Sequence, residues 1–482
     1  MNFGIVIKVL GNILSLEALM MIPSLLVALY YRQYDRGAFL ISIILIAIVG
    51  YIMSKKSVNS KKIRAKEGLA IVTLGWILVS FFGSLPFVIS GSIPSFIDAF
   101  FETVSGLTTT GSTLINNVEI LPKGILFWRS FTHWIGGMGI LVFTLAILPT
   151  LGVGGFQIFK AESPGPVKDR IAPKIKDTAK ILYTTYISIT ILEVILLMLG
   201  GMTLYESCLH TFGTVGTGGF SSRNLSIGAF DSTYIHIVIS IFMILSGVNF
   251  SLYFALYKGK WREVLRNKEL RFYIGLILAT TILIGLNLKF TSYKNIGIAL
   301  RDALFQTSSI ITTTGYATVD FNQWPTFSKS ILFLLIFIGG CAGSTSGGMK
   351  NIRIVVLLKL VKRQITKTFH PRAMIPVKLD DKSISSDTIA SITSFFILYI
   401  VIFVLGTIVI SLEGIGLESA ASAAATTLGN VGPGFGDIGP THTFSEFSKF
   451  NKLFMSFLML LGRLEMFTIL ALIAPKTWKN EV

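Results

Sequence analysis

A chain of 482 residues with 52% hydrophobic side chains, 14% charged ones and a mean hydropathy of +0.71 cannot cover a water-facing surface. A soluble domain of ordinary make-up carries about 25% charged residues, so a cytoplasmic enzyme, a nucleic-acid-binding protein and a disordered scaffold are excluded. Two cysteines, Cys208 and Cys341, give neither a disulfide framework nor metal-ligand spacing, and the fold class expected is an all-α polytopic membrane protein.

A helix needs roughly 20 mostly apolar residues to cross the hydrocarbon layer. In chain order, stretches 5–30, 38–53, 68–92, 125–149, 181–201, 232–256, 272–288, 388–412 and 453–474 qualify or nearly do. The first carries no small-residue cleavage site and is read as a span, not a secretory signal. A tenth, 328–361, is apolar at both ends and interrupted at 339–350 by a glycine- and serine-rich run that ends in Met349-Lys350. About ten transmembrane helices put both termini on one side. Segments 54–67, 158–180, 257–271, 350–387 and 475–482 hold 29 Lys and Arg between them; the alternating segments hold 10. Basic loops stay in the cytoplasm, so the net charge of +17 is a topology signal. No nucleic-acid partner is called for, and membrane lipid is the partner surface.

Four segments on the outward side share a pattern, a moderately apolar helical stretch followed by small and hydroxyl residues with a glycine. They read Thr108-Thr109-Thr110-Gly111, Gly213-Thr214-Val215-Gly216, Thr312-Thr313-Thr314-Gly315 and Gly429-Asn430-Val431-Gly432. Gly111, Gly216, Gly315 and Gly432 are 105, 99 and 117 residues apart, a fixed-period repeat to be considered before any other reading. Each unit is span, short re-entrant helix, glycine segment, span. Residues 1–67 then form two extra N-terminal helices, and the four membrane–pore–membrane repeats take 68–157, 158–257, 258–370 and 371–482. One Thr-Gly cluster alone would be an ordinary turn; four in register describe one pseudo-fourfold pore. A desolvated cation must regain oxygen ligands, which backbone carbonyls supply, and glycine adopts the angles this needs. Non-helical backbone at membrane depth is tolerated where protein buries it or it lines a water-filled path. Acids at Asp98, Glu206, Asp302 and Glu418 fall near the expected starts of the short helices, either as helix-start charges or as a cation funnel.

At these residues the chain resembles the Trk/Ktr/HKT superfamily of potassium transporters, over essentially its whole length. The two extra N-terminal spans, the total length and His370-Pro371-Arg372-Ala373-Met374-Ile375-Pro376-Val377 are similar to the TrkH branch. The resemblance implies a channel-like filter for potassium, the transported ion, made of Thr109, Thr110 and Gly111; Thr214, Val215 and Gly216; Thr313, Thr314 and Gly315; and Asn430, Val431 and Gly432. No quarter carries the full Thr-Val-Gly-Tyr-Gly run of potassium channels, although Gly315-Tyr316 comes close, so looser discrimination among cations is expected. Relatives with serine at the first-quarter glycine tend toward sodium; Gly111 favours potassium. The run at 339–350 matches the family's intramembrane gate loop, with Gly340, Gly343, Gly347, Gly348 and Lys350, and it lacks the Gly-Lys-Ser/Thr ending of a phosphate-binding loop. Arg463 matches an arginine that faces the pore below the filter. Glu465, two residues on, points elsewhere on a helix and is expected to pair with a neighbouring helix. The resemblance further implies a homodimer and a cytoplasmic TrkA-type ring of nucleotide-binding regulatory subunits docking on 257–271 and 350–387. It places the chain in the bacterial inner membrane, with both termini in the cytoplasm.

No organic cofactor and no enzymatic role are expected, because the five histidines (133, 210, 236, 370 and 442) are scattered and no nucleophile or paired-acid cluster appears. Gly136-Gly137-Met138-Gly139 lacks a preceding strand and reads as close helix packing. Glu17 and Glu193, single acids inside spans, leave room for a proton- or sodium-coupled symporter as the alternative.

Overall fold

Inside hydrocarbon every backbone N–H and C=O must find a partner within the protein, which leaves helices as the spanning element for a chain of this pattern. The computed structural model describes residues 1–57, 63–139, 175–380 and 382–473, and these are mostly helical. Residues 140–149 of the fourth expected span, residues 158–174 and 475–482 of two basic segments, and the boundary near 157 lie outside the described residues.

The two N-terminal spans are α1 (Phe3–Met20) continued by α2 (Ile22–Tyr30), and α3 (Arg36–Ser54). Helix α1 lies against α3 through Gly11 and Gly50: a Cβ on Gly11 would stand 2.7 Å from the Gly50 carbonyl, and one on Gly50 2.7 Å from Ser15 Oγ. Small residues that let backbones approach are what holds helices together in lipid, where the hydrophobic effect gives no pairwise drive. The outward face of α3 shows Ile41, Ile44, Ile48 and Ile52, as a lipid-facing helix should.

The first quarter has α4 (Ala65–Gly83) with α5 (Leu85–Ile89), a short helix α6 (Phe96–Leu107) and α7 (Lys123–Gly137). The second has α8 (Ile175–Leu199), the short α9 (Leu204–Val215), then α10 (Thr233–Ser246) and α11 (Phe250–Tyr257). After α12 (Trp261–Arg266), the third has α13 (Lys268–Thr291), the short α14 (Ile296–Ile311), α15 (Thr326–Ile336) and α16 (Asn351–Phe369). A two-residue hairpin, β1 (Lys378–Leu379) with β2 (Lys382–Ser383), precedes the fourth: α17 (Ser386–Ser411), the short α18 (Leu417–Gly429), α19 (Lys449–Arg463) and α20 (Met466–Ile473).

The second helices of quarters two and four depart from the continuous spans expected of them, and that of the third is interrupted where the sequence placed the break. Helices α10 and α11 meet at 92°, α19 and α20 at 115°, and the run at 337–350 separates α15 from α16. Glycines sit near the ends of the second helices because another backbone passes there. A Cβ on Gly136 would clash with the Leu107 carbonyl, and one on Gly462 with the Leu428 carbonyl, at the ends of the short helices of the first and fourth quarters. The glycine run at 136–139 therefore serves close packing.

The outer loops link the quarters in a cycle. Val118 N–H donates to Asn224 Oδ1 (2.8 Å), Gly228 N–H to the Ala317 carbonyl (3.0 Å), Gly436 N–H to Asn322 Oδ1 (3.1 Å), and Phe444 N–H to the Thr113 carbonyl (2.9 Å). First joins second, second joins third, third joins fourth, and fourth returns to first.

Candidate ion-conducting site

The short helices start on local caps: Ser95, Thr203 and Asn295 accept from backbone N–H groups in the first turns of α6, α9 and α14. All four end alike. The residue two past the last helical one, or one past in the fourth quarter, turns left-handed: Thr109 (φ 56°), Thr217 (57°), Thr313 (58°) and Asn430 (54°). Each N–H bonds back three residues, to Gly106, Thr214, Ile310 and Thr427. The next N–H in each case (Thr110, Gly218, Thr314, Val431) bonds back five residues. This is the helix-ending motif whose left-handed position is usually glycine. A β-branched residue there is a true outlier and costs about 1–3 kcal/mol, so three threonines in that place mark a strained site.

This geometry corrects the second quarter. Thr214 and Val215 close the last turn of α9, and Gly216 keeps helical angles with φ −72°. The counterpart of Thr109, Thr110 and Gly111 is Thr217, Gly218 and Gly219, three residues later. The glycine spacings become 108, 96 and 117.

With that register the four segments close a ring. Gly111, Gly219, Gly315 and Gly432 have φ of 84°, 77°, 81° and 97°. A Cβ on each would strike the carbonyl oxygen of the next quarter: Gly111 that of Gly218, Gly219 that of Thr314, Gly315 that of Val431, and Gly432 that of Thr110. The contact is repeated four times with one hand. Side chains tie it further, since Asn430 Nδ2 donates to Thr110 Oγ1 (2.9 Å) and to the Met459 carbonyl (2.9 Å). The four glycines line an outer cavity shared with Ser112, Pro433 and Arg129.

Residues the sequence reading passed over brace the ring from behind. His133 Nε2 accepts from Phe220 N–H (3.1 Å), so its Nδ1 carries the proton and donates to the Gly106 carbonyl (2.7 Å). Its ring occupies the space that a side chain at 218 would need, which explains glycine there. Tyr316 points away from the ring, its Oη 3.0 Å from the His210 carbonyl and 3.1 Å from that of Phe220. Arg129 and Glu102 form a buried ion pair of 2.7 Å. Glu102 also accepts from Thr113 Oγ1 and Leu114 N–H, both at 2.9 Å, and Arg129 donates to the Ser221 carbonyl at 3.1 Å and covers the Phe220 ring. The pair thus joins the stretches that follow the glycines in quarters one and two. A charged residue on each of two apolar helices was the available signal.

Below the ring lies the loop at 339–350. Gly347 N–H donates to Thr313 Oγ1 (2.7 Å), and a Cβ on Gly347 would sit 2.7 Å from Asn430 Cβ. Gly343 and Gly348 have positive φ of 76° and 63°. The Gly340 carbonyl accepts from Asn351 N–H (3.1 Å) and the Gly343 carbonyl from Phe250 N–H (3.0 Å), while Lys350 Nζ folds back to the Ser346 carbonyl. Arg463, at the end of α19, donates to Thr109 Oγ1 (3.2 Å), the Thr345 carbonyl (2.8 Å) and the Gly137 carbonyl (2.9 Å). Gly347, Gly348, Lys350 and Arg463 line an inner cavity of about 100 Å³. Glu465 pairs with Arg353 of α16 at 2.6 Å, as expected of it, but from the left-handed break between α19 and α20 (φ 55°) and not from a helix.

The four acids are spoken for. Asp98 pairs with Lys452 (3.1 Å), Glu206 with Arg223 (2.5 Å) and Glu418 with Lys329 (3.6 Å). Asp302 lies well inside α14, which begins at Ile296, and pairs with Arg301 at 2.8 Å. Paired acids make a poor funnel.

The family model described as TrkH, cation transport protein, matches residues 36–480. The chain is 39% identical to a Trk system potassium uptake protein TrkH of Vibrio parahaemolyticus, 37% to that of Escherichia coli and 36% to that of Halomonas elongata, covering all of both chains each time. It superposes on the crystal structure of the potassium transporter TrkH from Vibrio parahaemolyticus with a TM-score of 0.89, at 37% identity over 99% of this chain and 100% of that one.

Proposed function

The chain belongs to the TrkH family of cation transport proteins, and we propose that it takes up potassium across the bacterial plasma membrane through a gated pore. The ring closed by Gly111, Gly219, Gly315 and Gly432 against the next quarter's carbonyl carries this reading. Four backbone segments brought together with left-handed angles can offer a cation the oxygens it loses on leaving water. Thr109, Thr110, Thr217, Gly218, Thr313, Thr314, Asn430 and Val431 complete the filter. Conduction needs an open path, and here the loop 339–350 and Arg463 stand under the ring. They form the gate, and opening moves them. The side with 29 basic residues faces the cytoplasm, where a TrkA-type nucleotide-binding ring would dock on 257–271 and 350–387. Pairing of two copies rests on the family resemblance.

A coupled carrier is the second reading, favoured by one observation: Glu17 and Glu193 are fully buried, and among the described residues neither faces a basic side chain that pairs with it, Glu193 having the Thr214 hydroxyl beside it. Neither lines the inner or the outer cavity, so the pore reading is preferred. Reversal potentials in proteoliposomes with potassium against sodium, at two pH values, separate the two. A pore follows the potassium gradient at both pH values; a pH-dependent reversal potential defeats it.

A further inference from the structure

Glu269 belongs to neither cavity, is 4% exposed, and stands in the first turn of α13. One carboxylate oxygen, Oε1, accepts both Ala342 N–H (2.7 Å) and Ile352 N–H (3.1 Å). These donors lie ten residues apart, one just inside the loop under the ring and one in the first turn of α16. A single acceptor therefore holds both feet of the loop. A buried N–H left without its acceptor carries the full desolvation penalty.

The same corner is tied to the cytoplasmic hairpin. Asp380, in the turn between β1 and β2, accepts Lys268 N–H (3.1 Å) and Asn267 Nδ2 (3.4 Å), at the residues that start α13. Leu379 packs in one apolar cluster with Ala342, Ile352 and Val355. The hairpin thus touches both the base of the loop and the helix end that carries Glu269.

We infer that Glu269 is a positioning residue that latches the gate loop closed, and that the 378–383 hairpin sets how firmly the latch is held; this rests on the gate reading of 339–350. A cytoplasmic partner that moved the hairpin would then shift α13's first turn and slacken both feet together, without touching the ring.

The test uses the full-length protein in proteoliposomes of matched protein content. Flux without any regulatory subunit and thermal stability are measured for Glu269→Ala, Glu269→Gln, Asp380→Ala and a Gly340–Gly347 deletion. Glu269→Ala is expected to raise basal flux about fivefold, the factor one ordinary hydrogen bond represents, with the potassium-to-sodium reversal potential unchanged. Asp380→Ala should raise it less, and Glu269→Gln, which keeps an acceptor oxygen, should restore most of the closure. Adding Glu269→Ala to the deletion should change nothing further. A deletion that conducts faster beside a Glu269→Ala protein that does not overturns the latch and leaves the gate standing. A deletion that does not conduct faster overturns the gate itself. Should Glu269→Ala fail to insert, Asp380→Ala decides alone: wild-type flux there refutes the latch.

Discussion

Replacing Gly432 with alanine adds one methyl group to the ring, and its cost can be worked out. The residue has φ 97°, and the new Cβ would stand 2.6 Å from the Thr110 carbonyl oxygen. Ordinary contact begins at 3.4 Å, so that carbonyl must retreat by about 0.8 Å. With roughly half a charge on the oxygen, an effective dielectric near 20 and an ion at about 3 Å, the retreat loses roughly half a kcal/mol of attraction. Holding a side-chain-bearing residue in left-handed backbone adds about 1–2 kcal/mol. The first is roughly a twofold to threefold fall in ion occupancy; the second destabilises the ring arrangement itself, with or without the ion. Potassium-limited growth of an uptake-deficient host and rubidium flux into proteoliposomes read this directly. Gly275→Ala is the matched control, since nothing lies within 4 Å of a Cβ there. Wild-type flux and ion ranking from a well-inserted Gly432→Ala protein would refute the ring as the ion's coordination site.

Three more outcomes are expected. Gly219→Ala, which clashes with the Thr314 carbonyl, should lose uptake like Gly432→Ala, whereas Thr214→Ser, which keeps the hydroxyl bonded to the His210 carbonyl at 2.9 Å and beside Glu193, should stay within about twofold in the same growth assay; the reverse order would make Thr214-Val215-Gly216 the filter segment. Arg463→Ala should raise cation flux, because a guanidinium at about 4–6 Å from a passing ion repels it by roughly 3–4 kcal/mol at a dielectric near 20, and Arg463→Lys should keep much of the barrier; a protein that melts early with no gain in flux contradicts this. Breaking the buried Arg129–Glu102 pair from either side should cost about 3–5 kcal/mol, seen as a lowered melting temperature, and the double variant Arg129→Met with Glu102→Gln should be milder than either single change; additive losses would show that the two residues act separately.

Hydropathy and a recurring glycine cluster are properties of short stretches of chain, so a membrane-spanning helical fold, the four short helices each followed by a glycine segment, and the interruption at 339–350 were legible directly, whereas the place of Arg463 came from the family resemblance. Three of the four ring registers followed too, because Thr109-Thr110-Gly111, Thr313-Thr314-Gly315 and Asn430-Val431-Gly432 each offer one glycine at the right distance from the helix. The second quarter offers Gly216, Gly218 and Gly219 in four residues, and Thr214-Val215-Gly216 resembles the other quarters more closely than Thr217-Gly218-Gly219 does. Where α9 ends depends on what packs beside it, and the His133 ring, 85 residues upstream of Gly218, takes the volume that decides the matter. The broken second helices, the Arg129–Glu102 brace and the Glu269 contacts share this origin. Each depends on backbone or side chains from distant segments meeting at one depth in the membrane, and no window of sequence contains both partners.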